Sequence, residues 1–582
     1  MKDNLTKQFN TTQENMLLNE NDSNSVKITF LSAIISYLKV TKNNIRRFFI
    51  QKNEKSFIVK ALEKSYYILL ACKVSVIGTF LLTFGVIASV MSTFVSPTLG
   101  SFLSSDATFS SIIIVLSGLL LFTSKKAVED AINSSVFILP LNIVYSQQGL
   151  ISSNEIKINT TNAYSTAFFT GFIGGLFSII FPAQNVILFL LSILFTIFIF
   201  NRPECGVLIV SFMLPVFSEF YVIVYSLITL IALVYKYLLG KRHINFSVAE
   251  ILSIISVIYM IIYVINFGNT AADMSNIVSF VMFFIVFVTT SNLVRSTAMY
   301  RRAIYIIIEF TRIYAMLLLA NYICLSVFKY DVISNISFNN DFNGLCQALS
   351  SKGFITPVIA MAIPLNISYM LSVRKSKETA KTIIFLAMML ACTITVASYF
   401  YYLLILVSII TLLLFYKKRF LLFYPVAPFA AYALIKIINL LPSSYKNMRF
   451  SEDINPSDSL MTIIESGIQN VFGPSISSNV TTAIKNIGIL GIVLLTAVFI
   501  YVVIVTVKSL INKKSYASKV RYMTVGQIIA VFVFIIISIS TPYFTDIRII
   551  YAFSVVFSLA YSSVRCYEAD YIDENAVRDY LI

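Results

Sequence analysis

The sequence predicts an all-α, polytopic integral membrane bundle of about 12–16 transmembrane helices, and three observations predict it. Of 582 residues, 58% are hydrophobic and 12% charged, about half the charged share of soluble domains; mean hydropathy is +0.83. Apolar runs long enough to cross about 30 Å of hydrocarbon recur along the chain, separated by short polar links. The basic residues gather in those links, on one side only when the runs are threaded in order. In water, this composition would expose apolar patches far above the few hundred Å² that soluble monomers tolerate, which excludes the soluble enzyme classes.

Residues 1–65 read as a polar cytoplasmic tail followed by amphipathic basic helices, for example 28–40 and the stretch around Arg46, Arg47, Lys52 and Lys55, lying on the inner membrane surface. No signal peptide is expected, because no short apolar core with a small-residue cleavage site follows the polar opening. Residues 66–565 make the transmembrane domain. Its candidate segments are approximately 74–95, 108–124, 163–181, 185–200, 205–219, 220–237, 249–266, 274–293, 303–328, 353–373, 380–398, 400–416, 420–441, 486–508, 523–540 and 543–563. Pro182 and Glu219 interrupt two neighbouring pairs, each of which reads alternatively as one broken or re-entrant helix.

Threading these segments places six basic clusters on one face: Lys125 and Lys126; Lys236, Lys241 and Arg242; Arg295, Arg301 and Arg302; Arg374, Lys375 and Lys377; Lys417, Lys418 and Arg419; Lys513, Lys514, Lys519 and Arg521. Positive charge marks the cytoplasmic side, so both termini are expected inside. The outer face receives loops at about 329–352 and 442–485. Residues 566–582 form an acidic cytoplasmic tail with Glu568, Asp570, Asp573, Glu574 and Asp579, and acidic charge hardly affects orientation.

The net charge of +16 is explained by this topology, and no nucleic-acid partner is expected. The six cysteines, Cys72, Cys205, Cys324, Cys346, Cys392 and Cys566, lack metal-ligand spacing and read as small core residues. Nucleotide-loop and zinc-protease motifs are absent, and the single histidine, His243, follows Lys241 and Arg242 in an inner loop. A histidine-based metal site or catalytic triad is thereby excluded, and neither metal nor cofactor is expected.

Charges inside apolar runs are costly and usually have a partner or a task. Glu309 and Arg312, three apart on a helix, share a face and neutralise each other, as a structural pair or along a substrate or proton path. Near the outer boundary stand Lys436, Arg449 and Arg548, with Asp546 and Glu219. Guanidinium groups present a planar fork to paired phosphate oxygens, so this rim is a candidate diphosphate grip; the alternative is interfacial snorkelling with local salt bridges.

The second half carries further patterns: Asn201-Arg202-Pro203-Glu204 before a short helix; "TPVIAMAIPLNISYML" after Asn340; "TVASYFYYLLILVSIITLLLFYKKR"; then Arg449, "SLMTIIESGIQNVFGP" and "NIGILGIVLL" at 486–495. In this order, over about 200–560, the chain resembles the O-antigen ligase and O-antigen polymerase superfamily, whose members handle undecaprenyl-diphosphate-linked glycans at the outer face of the bacterial plasma membrane. Two positions depart from the family pattern. Ser398-Tyr399 stands where the family has Ser-Arg, and Ser477, Ser478 and Asn479 stand where the outer loop has a His.

The resemblance implies a metal-independent membrane glycosyltransferase in cell-surface polysaccharide assembly, with a lipid-linked glycan, a glycan acceptor and membrane lipid as partners. Arg449 is then the catalytic candidate, with Arg548, Lys436, Arg312 and Glu309 as substrate-binding candidates and Glu452 or Asp453 as the base. Two further readings stand beside it: a lipid-linked glycan flippase or transporter lined by Glu309 and Arg312, and a catalytically inactive family member.

Overall fold

The computed structural model describes residues 44, 47–48, 56–95, 106–128, 130, 160–177, 183–214, 217–239, 244, 246–267, 271–295, 297–328, 352–373, 376–393, 399–439, 474–512, 518–540 and 546–579. The chain divides into two compact units: Met1–Ala61 with Val234–His243, and Leu62–Leu233 with Ile244–Ile582. The second holds the great majority of the helices and is described below. The expected surface helix at 28–40 and most of the expected outer loops at about 329–352 and 442–485 lie outside the described residues.

The fold is all-α. Its helices are α1 (Phe57–Ala71), α2 (Val74–Val95), α3 (Asp106–Phe122), α4 (Thr160–Leu176), α5 (Ala183–Asn201), α6 (Pro203–Met213), α7 (Glu219–Leu238), α8 (Val248–Phe267), α9 (Ala271–Leu293), α10 (Thr297–Phe328), α11 (Lys352–Val373) and α12 (Ser376–Cys392). They continue with α13 (Tyr399–Tyr416), a 3-10 segment (Lys418–Val426), α14 (Ala427–Asn439), α15 (Pro474–Asn512), α16 (Ser518–Ser540) and α17 (Ile547–Asp579). Among the described residues, seven helices are long and apolar enough to cross a membrane, with shorter apolar helices between them. This is the pattern expected of a polytopic membrane protein, because each helix satisfies its own backbone in a solvent that offers no hydrogen bonds.

Cross-contacts tie helix ends as the threading requires. Val74 N–H donates to the Lys126 carbonyl at 3.0 Å and Val128 N–H to the Cys72 carbonyl at 2.8 Å, joining the start of α2 to the segment that follows α3. Asn201 Nδ2 donates to the Leu62 carbonyl, bringing the end of α5 to α1. The Tyr300 hydroxyl meets Thr524 and Gln527, pairing the starts of α10 and α16. All these ends belong to the face that carries the basic links, here called the basic end. At the opposite end, a Cβ on Gly488 of α15 would lie 2.7 Å from the Tyr259 hydroxyl of α8.

α17 is the axis of the main core: 94% of its Ile547–Cys566 stretch is buried, against 17% for Gly488–Ile511 of α15. It packs on α9, α10, α15 and α16. Serines at 554, 558, 562 and 563 keep its surface narrow and are all buried, and the Ser554 hydroxyl crosses to the Phe283 carbonyl of α9 at 2.7 Å. Rings fill what the serines leave open, with Phe534 stacked on Phe553 at 4.3 Å and Phe499 on Phe557 at 5.3 Å between centroids.

The first helices form a second packing group, in which α2 packs between α3 and α4. Lipid tails supply no hydrophobic drive between helices, so close backbone approach at small residues does the work. A Cβ at Gly78 would run into the Phe122 backbone, and one at Gly118 would sit 2.7 Å from the Leu82 backbone nitrogen. Outward, this group shows lipid the exposed side chains of Leu119, Leu120, Phe169 and Ile173.

Candidate functional site

Among the described residues, three polar clusters interrupt the apolar interior, and each gathers charges from different helices. The largest lies between α10, α11 and α12. The α10 sequence sets Arg302, Tyr305, Glu309 and Arg312 on one stripe by their spacing of three and four. Arg312 is 0% exposed, and each nitrogen of its guanidinium has a partner. Nη1 donates to Glu309 Oε1 at 2.7 Å, Nε to Asn366 Oδ1 at 3.2 Å and Nη2 to Thr382 Oγ1 at 2.7 Å. The rings of Tyr369 and Phe385 cover its faces at 5.6 and 5.5 Å.

Asn366 is itself fixed by donating to the Ala362 carbonyl at 2.9 Å and to Thr311 Oγ1 at 3.3 Å. Glu309 Oε1 accepts a second cation, Lys381 Nζ of α12, at 2.8 Å. The cluster therefore holds two cations and one carboxylate. The Glu309–Arg312 pair expected from the sequence is present, and Asn366, Lys381 and Thr382 are partners that its spacing alone did not name.

At the basic end, Glu250, Arg565, Ser247, Ser291 and Tyr561 tie α8, α9 and α17 together. Ser247-x-x-Glu250 is a capping-box spacing, and the Ser247 N–H donates to Glu250 Oε2 at 3.0 Å. The Ser247 hydroxyl also bonds that carboxylate and meets the Tyr561 hydroxyl at 2.6 Å. Arg565 Nη2 lies 2.5 Å from Glu250 Oε1, which Ser291 Oγ also reaches at 3.0 Å. The guanidinium stands over the Tyr561 ring at 4.9 Å. Sequence reasoning missed this cluster, although a carboxylate at the start of the segment 249–266, one turn after a capping serine, was the signal.

At the opposite end, Asp546 caps α17. Its Oδ1 accepts the Arg548 N–H at 2.9 Å, and its two oxygens take Arg548 Nε and Nη2 at 3.1 and 2.8 Å. Arg548 is 6% exposed, so its planar fork is engaged by its own helix cap. Glu219, at the start of α7, lies within electrostatic reach of both. Lys436 sits on α14 with its ammonium 5.3 Å from the Tyr432 ring one turn back. α14 packs on α13 and the 3-10 segment, whereas Arg548 stands on α17. Arg449, Glu452 and Asp453 lie outside the described residues.

No protein-family model, curated protein or solved structure matches this chain. Its chemistry is therefore read from its own residues. Among the described residues, no three His, Cys, Asp or Glu side chains gather into a metal-binding group. An apolar cavity of about 30 Å³ between α6, α10, α11 and α17 is lined by Ser211, Thr311, Met361, Leu365, Tyr551 and Val555. That volume suits a water or two, far below what a sugar or lipid chain occupies. Arg312 ties α10 to α11 and α12 through Asn366 and Thr382, whereas Arg548 bonds the Asp546 cap of its own helix.

Proposed function

We propose that this chain is an O-antigen ligase- or polymerase-like membrane protein acting on undecaprenyl-diphosphate-linked glycans in the assembly of cell-surface polysaccharide. One observation carries the reading: among the described residues, motifs behind the resemblance stand at helix starts or put prolines and a positive-φ glycine inside helices. Pro203 opens α6, Pro357 and Pro364 stand inside α11, and Tyr399 starts α13. Gly488 interrupts α15 at φ 70°, between the run 474–487 and the apolar stretch Gly488–Ile511. Residues placed at such breaks shape the backbone, which supports reading the motifs as one ordered set.

In the proposed reaction an acceptor hydroxyl attacks the anomeric carbon. The new glycosidic C–O bond forms as the bond to the lipid diphosphate breaks, and the hydroxyl proton passes to a carboxylate, with Glu452 and Asp453 the candidates. The leaving diphosphate requires cationic stabilisation. Because Arg312 and Arg548 are engaged internally, Arg449 of the outer loop is the residue assigned that role.

Complementation of a deletion strain tests it. Arg449→Ala, produced at the wild-type level, should fail to restore the surface-glycan profile, while Arg449→Lys restores part of it. Full restoration by Arg449→Ala would refute the diphosphate role.

A further inference from the structure

We propose that the surface where α10 meets α12 binds the phosphate of an anionic phospholipid in the leaflet at the basic end, through Lys381. Among the described side chains, the cluster around Glu309 carries one more positive than negative charge: Arg312 and Lys381 share a single carboxylate oxygen. Arg312 is sealed at 0% side-chain exposure, but Lys381 is 37% exposed, so the excess charge is open only at the lysine.

The direction of that opening is set by its helix. Three residues on, Ile384 is 59% exposed, as is its neighbour Ile383 at 53%. These are the lipid-facing side chains of α12. Lys381 therefore opens sideways toward the bilayer, at the edge of this apolar face, and away from the small cavity lined by Thr311 and Tyr551.

Depth selects the occupant. Lys381 is five residues into α12, about 8 Å from its start at a rise of 1.5 Å per residue, within reach of the headgroup layer for a long side chain. Arg302, on the stripe of α10 that carries Glu309, lies seven residues closer to the basic end, about 10 Å along the axis. Basic clefts between transmembrane helices at this level suit acidic headgroups. A neutral headgroup phosphate carries its own cation and would gain little from Lys381.

The test is native mass spectrometry of the full-length protein released from nanodiscs of equal phosphatidylglycerol and phosphatidylcholine. Wild type should retain phosphatidylglycerol over phosphatidylcholine by about fivefold or more, the scale of one lysine near a charged surface. Lys381→Ala should bring the ratio close to one, and Lys381→Arg should keep it. Thr382→Val removes an Arg312 partner without changing charge, so it should also keep the ratio and reports on damage to the cluster alone. No preference in the wild type, an unchanged ratio in Lys381→Ala, or an equal loss in Thr382→Val would overturn the proposal.

Discussion

Removing the carboxylate of Glu309 is the sharpest perturbation of the interior. Arg312 is fully buried, and of its three hydrogen-bond partners only Glu309 carries charge. Glu309→Ala leaves a guanidinium with two neutral acceptors and strands Lys381 as well. Truncating one side of a buried ion pair costs about 3–5 kcal/mol, because the remaining charge is left uncompensated. Thr382→Val deletes only one hydrogen bond to a charged donor, about 1.5–3 kcal/mol in a soluble protein and less inside a membrane, where such bonds average about 0.6 and reach about 1.7 kcal/mol.

The double variant Glu309→Leu with Arg312→Leu removes both ends of the pair, so most of the loss should return. The assay is equilibrium unfolding of purified protein in mixed micelles, with wild type, Glu309→Ala, Thr382→Val, the singles Glu309→Leu and Arg312→Leu, and their double measured together. The expected order of destabilisation is Glu309→Ala, then Thr382→Val, with the double variant well below Glu309→Ala. A double variant as unstable as the sum of its singles would show that the side chains are held by packing, with no charge coupling, and would refute the reasoning.

Further predictions follow from the other clusters. Glu250→Ala leaves Arg565 without its carboxylate between α8 and α17 and should cost about 3–5 kcal/mol in the same unfolding assay, most of it recovered when Arg565→Leu is added. Asp546→Ala removes the cap of α17 and the partner of Arg548; a cap alone is worth about 0.5–2 kcal/mol, and amide exchange in the first turn of α17 should rise. Gly488→Ala puts a side chain on a backbone at φ 70° with the Tyr259 hydroxyl 2.7 Å away, a strain of about 1–3 kcal/mol that should appear as a lower melting temperature. At Gly118, by contrast, an added Cβ meets the Leu82 backbone, which cannot rotate aside, so Gly118→Val should separate α2 from α3 and reduce the yield of folded protein.

The helices were legible because the bilayer imposes one requirement on length and hydropathy. The segments at 74–95, 353–373 and 303–328 reappear as α2, α11 and α10, the last beginning six residues earlier at Thr297, because its first turn lies among the basic residues 301 and 302, where hydropathy fails. Glu309 with Arg312 was legible because helical spacing puts them on one face. Asn366, Lys381 and Thr382 were not, since they come from two other helices and packing order is not written in any one segment. The rim grouping of Lys436 with Arg548 rested on depth and side-chain chemistry, which leave the azimuth around the bundle open; the two stand on α14 and α17.

The most direct test of the proposed function compares lipid-linked and surface glycans in wild type and a clean deletion strain by mass spectrometry, with the sidedness of the lipid-linked pool determined. The account predicts that the deletion accumulates undecaprenyl-diphosphate-linked glycan on the outer face and loses surface polymer. An unchanged profile, or accumulation confined to the inner face, would contradict it.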